Sequence, residues 1–435
     1  MQKPISGFSK WNKSQKIDWL INTYFDGSTD AKQTVEQYAN ADEKLQQLHD
    51  EFIENTVSNF YLPLGVAPNF LLNDKLVTVP MAIEESSVVA AASKAAKFWL
   101  ERGGFKAEVL STTKVGQVHF IYNGNYDTLQ SYFQHIKPRL FEEAKPITKN
   151  MEKRGGGILD IELRDKTEQL DHYYQLHATF ETLDAMGANF INSCLEQFAQ
   201  TFETGFDAFN TDSSNLDIVM SILSNYVPDC IVRAEVRCPI SDLKDKDIVD
   251  PQEFAERFNQ AIDIAKVEPF RAVTHNKGVM NGIDAVVLAT GNDFRAVEAG
   301  IHAYASRDGQ YRSLTHCSID NDTFRFWIEI PLALGTVGGL TRLHPLVKFC
   351  LEMLGQPNAK ELMKIVAVAG LAQNFAAVKS LTTTGIQQGH MKMHLMNILN
   401  QFGANATEKK ALVEHFKTET VSHSAVVSAL ENLRH

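Results

Sequence analysis

The hydrophobic positions of this 435-residue chain follow two periods, and the changes between them outline its elements. Residues 12–60 carry apolar side chains at helical spacing, which predicts helices there. Later stretches alternate apolar and polar residues and predict strands, at Leu72–Pro80, Phe105–Leu110, Val115–Tyr122, Ile158–Leu163, His177–Leu183, Cys230–Val236 and Phe324–Pro331. Helical periodicity returns between them, at Val88–Glu101, Leu129–Ala144, Pro251–Ile264, Phe294–Ala305, His344–Leu354 and Asn358–Thr382.

The order of these elements predicts an α+β fold built from four segments. Residues 1–112 and 222–383 form a large, mainly helical domain. The strands and helices of residues 113–221 form a compact α+β domain that is inserted into the large one. A hinge at Thr382–Gly385 precedes residues 384–435, a small helical flap that we expect to move as a unit.

The composition is typical of a soluble globular protein, with 44% hydrophobic and 22% charged residues. The formal net charge is −11, and the basic residues form no long block, which argues against nucleic acid as a partner. Residues 1–16 lack the apolar core of a signal peptide, and no apolar run is long enough to predict a membrane span. Five scattered cysteines are typical of the reducing cytoplasm and predict no metal site.

The densest candidate chemistry lies between Arg271 and Asp293, where Lys277 and Asn281 also stand among glycines and small residues. A lysine and an aspartate in one cleft are suited to stabilising an oxyanion. The alternative is a structural ion pair in a loop, with Asp293 as the N-cap of the helix that follows. The apolar run Ala285–Thr290 between them fits either a buried strand or a tight helix.

Two further motifs lie at predicted helix starts. Glu84-Glu85 precedes an alanine-rich helix capped by Ser86 or Ser87, and one carboxyl there is a candidate general acid or a partner of the helix dipole. Asp184–Asn189 follows a strand and opens a helix with Gly187 in its first turn. Backbone amides in such a turn bind phosphate, although an ordinary aspartate cap with a packing glycine is the alternative.

The C-terminal flap begins with His390 and His394, which have the spacing of a metal-binding pair but no third ligand, so we expect no metal. A histidine on a mobile segment is suited to delivering a proton, and the alternative is a solvated surface histidine. The chain has neither a Gly-x-Gly-x-x-Gly motif after a strand nor a P-loop, which disfavours an ordinary Rossmann or P-loop enzyme.

Together these motifs resemble the 3-hydroxy-3-methylglutaryl-CoA (HMG-CoA) reductases, specifically the bacterial class II form. The resemblance covers nearly the whole chain and is carried by residues 84–93, 184–189, 222–225, 271–282, 289–293, 370–374 and 389–391. Two departures stand out. The family's Glu-Asn-Val-Ile-Gly segment is Glu54-Asn55-Thr-Val-Ser58 here, and Ser86 replaces the proline that follows the family's glutamate.

The resemblance implies a role for each matched position. The residues matching the family's catalytic groups are Glu85, Lys277, Asp293 and His390. Those matching its substrate contacts are Arg271, Asn281, Ser87 and Asn225. The segment matching its nicotinamide-dinucleotide loop is Asp184, Ala185, Met186, Gly187, Ala188 and Asn189.

The activity that the resemblance implies is reduction of HMG-CoA to mevalonate and CoA by a cytoplasmic enzyme without membrane or nucleic-acid partners. NADPH is the expected cofactor, bound by residues 113–221, with NADH as the alternative. A homodimer with its active site at the subunit interface is implied, and a higher oligomer is the alternative. The rival functions are NAD-dependent oxidation of mevalonate on the same fold and, from another class, a non-redox acyl-CoA hydrolase or binding protein.

The choice between NADPH and NADH is expected to depend on the residues before Gly155. Counting back places Thr148 near the position where NAD-using relatives carry an acidic residue, and Lys149 follows it among other lysines. Cations favour the 2′-phosphate of NADPH, whereas a carboxylate repels it. The alternative is that these lysines form a solvated helix face and that Glu152 acts as the acid.

Overall fold

The computed structural model of the chain describes residues 4–209, 215–383, 395–416, 419 and 421–434, with the backbone alone at 207 and 208. The chain separates into two compact units, Met1–Pro63 and Leu64–His435. The first unit contains helices α1 (Lys13–Tyr24), α2 (Thr29–Gln37) and α3 (Glu43–Asp50). A polar side chain caps the first turn of each, as the helical spacing of residues 12–60 leads one to expect.

The second unit begins with a hairpin of strands β1 (Leu64–Leu72) and β2 (Lys75–Ala82). Its two-residue turn, Asn73-Asp74, has both φ angles positive, which suits the twist of a tight hairpin. The sequence predicted a single strand at Leu72–Pro80. The second strand of the hairpin confirms most of that range, and the first strand was missed.

A four-stranded antiparallel sheet follows the order β3-β8-β10-β9. Its strands are β3 (Lys106–Val109), β8 (Ile231–Pro239), β9 (Thr315–Asp320) and β10 (Thr323–Pro331). The helices that share its hydrophobic core include α4 (Val88–Leu100), α7 (Pro251–Val267), α8 (Pro269–Ala289), α9 (Phe294–Ala305) and α12 (Ala359–Thr382). Aromatic rings fill this core, and Trp99, Phe258 and Phe326 each pack against Phe375.

A second antiparallel sheet, in the order β5-β6-β4-β7, has a separate hydrophobic core. Its strands are β4 (Lys114–Tyr122), β5 (Gly157–Asp165), β6 (Tyr173–Glu181) and β7 (Leu216–Leu223). Helices α5 (Tyr126–Glu152) and α6 (Ala188–Phe209) share this core. Helix α5 is longer than predicted because it continues through Pro138 and Pro146. The fold is therefore α+β, as the sequence predicted, with strands in both cores.

Shorter helices complete the described chain, at α10 (Leu340–Leu343), α11 (Pro345–Met353), α13 (395–401), α14 (Ala406–His415) and α15 (His423–Arg434). The last three enclose a small hydrophobic core of their own. Among the described helices, α12 is long and apolar enough to span a bilayer, but 72% of its most apolar window is buried inside the protein. Its burial identifies it as a core helix.

Candidate active site

The ammonium of Lys277 meets the carboxylate of Glu85, with Nζ 2.6 Å from Oε2. Lys277 lies on α8, and the whole stretch from Pro269 to Ala289 is helical, which decides the strand-or-helix alternative in favour of the helix. The side chain of Glu268 caps α8 by accepting a hydrogen bond from the Arg271 amide. A continuous helix therefore replaces the glycine-lined loop that the sequence allowed.

The backbone at Ser87 turns the chain between Glu85 and α4. Ser87 is a non-glycine residue with φ of 79°, in the left-handed region, and its side chain makes no capping hydrogen bond. Such a conformation costs free energy and is concentrated at functional sites. Of the two adjacent acids, Glu85 contacts Lys277 on α8, and Glu84 is exposed.

Helix α8 also carries two of the predicted substrate contacts, Arg271 and Asn281. Asn281 lies one turn after Lys277 on the same face. Arg271 is half-buried, and burial lowers the pKa of its guanidinium. Within the described part of the chain, no carboxylate lies within ion-pair distance of that guanidinium. A half-buried cation without a counter-ion is suited to binding an anionic ligand.

Hydrogen bonds between buried polar groups connect α8 to β9 and α12. His275 Nε2 lies 2.6 Å from Thr315 Oγ1, which donates to Asn374 Oδ1 at 3.1 Å, and Asn374 Nδ2 donates to the His275 carbonyl at 3.0 Å. Burial lowers the pKa of His275 to about 3, so its ring is neutral. This network explains why the matched segment around Asn374 is polar in the middle of a core helix.

Asp293 does not join Lys277. Its carboxylate caps α9 by accepting from the amides of Arg295 and Ala296, and it forms an ion pair with the Arg295 guanidinium at 3.2 Å. Among the described residues no ion pair connects Asp293 to Lys277. The chain turns directly at the end of α8, where the Asn292 amide donates to the Val287 carbonyl. Ten residues of helix, roughly 15 Å, separate Val287 from Lys277.

Asn225 lies beside the predicted dinucleotide loop. A narrow, mostly apolar cleft is lined by Asn225, by Met186 and Ala188 of the predicted dinucleotide loop, and by Val297 of α9. The carbonyl of Asn225 packs so closely on α9 that a Cβ at Gly300 would lie 2.6 Å from it. The structure thus groups Asn225 with the loop, and Lys277 with Glu85.

The predicted dinucleotide loop ends at Gly187, with φ of 96°, and α6 begins at Ala188. The amides of Ala188, Asn189 and Phe190 have no hydrogen-bond acceptor within the described residues, so the N-terminus of α6 is open to an anion. The side chain of Asp184 has a hydrogen-bond partner within the protein. Its carboxylate accepts from the Ala359 amide at 2.9 Å, at the start of α12. Asp184 therefore anchors the loop.

The position predicted to choose between NADPH and NADH is buried. Thr148 has no exposed surface, and its hydroxyl donates to the carboxylate of Glu152. It is one of the buried residues of α5, whereas the neighbouring Lys149 is exposed. Thr148 is thus not placed to contact a cofactor, and the contact expected of Lys149 stays a prediction. His390, the predicted proton donor, lies outside the described residues.

Known proteins resemble this chain over most of its length. A family model described as hydroxymethylglutaryl-coenzyme A reductase matches residues 18–395. The chain belongs to the HMG-CoA reductase family. The HMG-CoA reductase of Archaeoglobus fulgidus is 37% identical over 417 residues, which cover 95% of this chain and 91% of the relative. A probable HMG-CoA reductase of Borreliella burgdorferi is 32% identical over 396 residues, 89% of this chain and 88% of the relative.

Solved structures of HMG-CoA reductases are equally similar. One from Streptococcus pneumoniae is 36% identical, with a TM-score of 0.73, and the match covers 99% of this chain and 100% of the other. A second, the class II enzyme of the same organism bound to NADPH in open conformations, is 35% identical with a TM-score of 0.73 over 98% and 100% of the two chains. These likenesses confirm the family that the sequence motifs indicated.

Proposed function

We propose that this chain reduces (S)-HMG-CoA to (R)-mevalonate and CoA at the expense of two NADPH. The observation that carries the proposal is the contact of Glu85 with Lys277 on α8, a helix whose Arg271 has no counter-ion among the described residues. When bound, NADPH supplies a hydride to the thioester carbonyl carbon in the first step and a second hydride to the aldehyde that follows. The reaction also needs charged groups and proton donors at fixed positions, and the residues of this chain supply them.

The substrate end of the site is assigned by charge. The guanidinium of Arg271 binds the carboxylate of the hydroxymethylglutaryl group, because that carboxylate is the fixed anion at this end of the substrate. Asn281 lies one turn after Lys277 on α8, and Ser87 is the N-cap residue of α4, two residues after Glu85, so we assign these polar side chains to its hydroxyl group. The ammonium of Lys277 binds the carbonyl oxygen as it gains negative charge in each reduction.

Protons are needed twice, once on the CoA sulfur and once on the new alcohol oxygen. Glu85 Oε2, in hydrogen-bond contact with Lys277, is placed beside the oxygen that this lysine binds. Glu85 therefore takes up a proton from water before the second reduction and transfers it to the alkoxide that this reduction forms. By resemblance, His390 protonates the departing thiolate, which makes CoA a better leaving group and stops the thiolate from returning.

The cofactor is assigned to the N-terminus of α6. Gly187 fits this use because a Cβ there would lie 2.6 Å from the Thr182 side chain, so only glycine lets the turn close. The unpaired amides of Ala188 to Phe190 then provide donors for the pyrophosphate. We assign residues 113–221 as the dinucleotide domain, 1–112 and 222–383 as the substrate domain, and 384–435 as the flap.

We infer that two copies of the chain complete each active site. Lys277 and Glu85 form one group, and Asn225 and the dinucleotide loop form another, while Asp293 caps α9 and has no described ion pair with Lys277. A symmetric homodimer brings the first group of one subunit against the second group of its partner. A cytoplasmic location fits the five cysteines, all of which are free and buried.

The decisive experiment follows NADPH oxidation with HMG-CoA as substrate. Two NADPH should be oxidised for each CoA released, with mevalonate as the product. Release of CoA without NADPH oxidation would support the hydrolase alternative. An enzyme that oxidises mevalonate with NAD but cannot reduce HMG-CoA would support the degradative alternative.

A further inference from the structure

Lys114 is a buried cation that the assigned chemistry does not use. It stands at the start of β4, is 4% exposed, and donates from Nζ to the Thr182 hydroxyl and to the Ala185 carbonyl, the latter at 2.9 Å. Within residues 4–209 and 215–383, no carboxylate lies within ion-pair distance of its ammonium. Burial lowers the pKa of Lys114, against the weaker opposing influence of Cys230, Glu181 and Asp184.

A buried ammonium without a counter-ion is unfavourable unless its donors are satisfied or its charge has a use. Two of the three donors of Lys114 meet the loop that begins α6, and the side chain also lines the cleft beside Met186 and Asn225. The charge of Lys114 therefore lies against the proposed dinucleotide loop, and water screens it poorly because the side chain is buried.

The loop is held from both sides. On one side, the Thr182 hydroxyl accepts from Lys114 and donates to the Ala185 carbonyl at 2.7 Å. On the other, a Cβ at Gly335 would lie 2.5 Å from the Met186 amide nitrogen, and the Thr336 amide donates to the Asp184 carbonyl at 2.9 Å. The carbonyls of Asp184 and Ala185 are thus hydrogen-bonded within the protein. The amides at the start of α6 have no acceptor among the described residues and are free to bind a ligand.

We propose that Lys114 is a positioning residue for cofactor binding. It fixes the Thr182–Gly187 turn so that the amides at the start of α6 point at the cofactor pyrophosphate. Its shielded positive charge also adds to the attraction of the helix N-terminus for that anion. The proposal rests on the assignment of this loop to NADPH, and it concerns affinity for the cofactor alone.

The test compares dissociation constants for NADPH and for HMG-CoA in the full-length chain. Lys114→Met should raise the Kd for NADPH roughly tenfold or more, the effect expected for losing hydrogen bonds to a charged group. The Kd for HMG-CoA should stay within about twofold, because Lys277 and Arg271 do not depend on the loop. Lys137→Met is the matched control, since it removes one positive charge from the same sheet domain, at the ion pair with Asp160.

Thr182 provides a second pair of variants in case Lys114→Met folds poorly. Thr182→Val removes the hydroxyl that receives Lys114, whereas Thr182→Ser keeps it. The valine variant should weaken NADPH binding, the serine variant should not, and the valine variant combined with Lys114→Met should lose less than the sum of the single effects.

The outcomes separate this proposal from the proposed function. A wild-type chain that oxidises NADPH with HMG-CoA, together with a Lys114→Met variant of unchanged NADPH affinity, would overturn the positioning role only. Equal loss of NADPH and HMG-CoA binding would also overturn it, because it would show a general structural role. A wild-type chain that binds no NADPH at all would remove the proposed function itself.

Discussion

Lys277 Nζ and Glu85 Oε2 lie 2.6 Å apart although 192 residues separate them in the chain. The side chains are 59% and 39% exposed, and an exposed ion pair contributes little to stability. The contact is therefore better explained by ligand chemistry. As negative charge develops on the substrate oxygen, that oxygen competes with Glu85 for the Lys277 ammonium. In the proposed mechanism, the same lysine stabilises the oxyanion and places the acid beside it.

Replacing Lys277 tests that role directly. Lys277→Ala should lower kcat about 100-fold to 1,000-fold, the usual loss when a fixed partner of an oxyanion is removed. The melting temperature should hardly change, because the ion pair is exposed. Lys266→Ala, at a lysine–aspartate pair on the surface of α7, is the control and should retain wild-type turnover. A Lys277→Ala enzyme with most of its kcat would assign the lysine a structural role.

Glu85 is tested with mevaldehyde, which isolates the second reduction. Glu85→Gln should impair mevaldehyde reduction by about 100-fold or more, because an amide cannot transfer a proton to the alkoxide. The neighbouring acid provides the control, since Glu84 is exposed and forms no ion pair with Lys277 in the described structure. Glu84→Gln should therefore behave as wild type. If the two variants exchange these results, the choice between the adjacent acids was wrong.

The sequence predicted some of the elements around the proposed site and left others undecided. The helix after Asp293 and the strand after Lys114 were predicted because one face of each is buried and the pattern shows it. Helix α8 stayed ambiguous since it is buried on most sides, which removes the periodicity that marks a surface helix. Counting back from Gly155 located Thr148 but not the side of α5 on which it lies. Nothing in the local sequence marks Lys114 as buried, because its partners come from another part of the chain.

The separation of Asp293 from Lys277 gives a prediction about assembly. Lys277→Ala and Asp293→Asn chains should each form nearly inactive homodimers. When the two are co-expressed, mixed dimers contain one intact site, and random pairing should restore about a quarter of wild-type activity. Turnover by the purified mixture, compared with the two separate preparations, measures this. Co-expressing two chains that both carry Lys277→Ala is the control. Absence of any recovery would mean that both residues act within one subunit.

Asp284 makes stability depend on pH. Burial, and after it the carboxyl group of Glu298, raises the pKa of Asp284 to about 8. Between its unfolded pKa, about 4, and that value, the folded chain holds a proton that the unfolded chain has lost. The stabilisation from this group is therefore complete at low pH and is lost as pH rises toward 8.

Asp284→Asn should flatten this dependence, so the melting temperature of the variant should fall less than that of the wild type between about pH 6 and about pH 9. Glu253→Gln, at an exposed surface pair, is the control. Parallel curves for Asp284→Asn and wild type would contradict the shared burial of the two acids.

Cofactor choice should depend on Lys149 rather than on Thr148. An acid placed at Thr148 would be buried beside Glu152 and would test folding more than specificity. Lys149 is exposed one position later, where its ammonium can approach the 2′-phosphate that distinguishes NADPH from NADH. Lys149→Glu should lower kcat/KM for NADPH roughly tenfold and leave the value for NADH nearly unchanged.

The matched control for this prediction is Lys137→Glu, twelve residues earlier on α5 and so roughly 18 Å away along the helix. It makes the same change in net charge, so any general electrostatic effect on a dinucleotide should appear in both variants. A specific contact with the 2′-phosphate requires the NADPH to NADH ratio to fall in Lys149→Glu alone. Equal losses with both cofactors, or equal changes in the two variants, would place the discriminating residue elsewhere, with Glu152 the next to test.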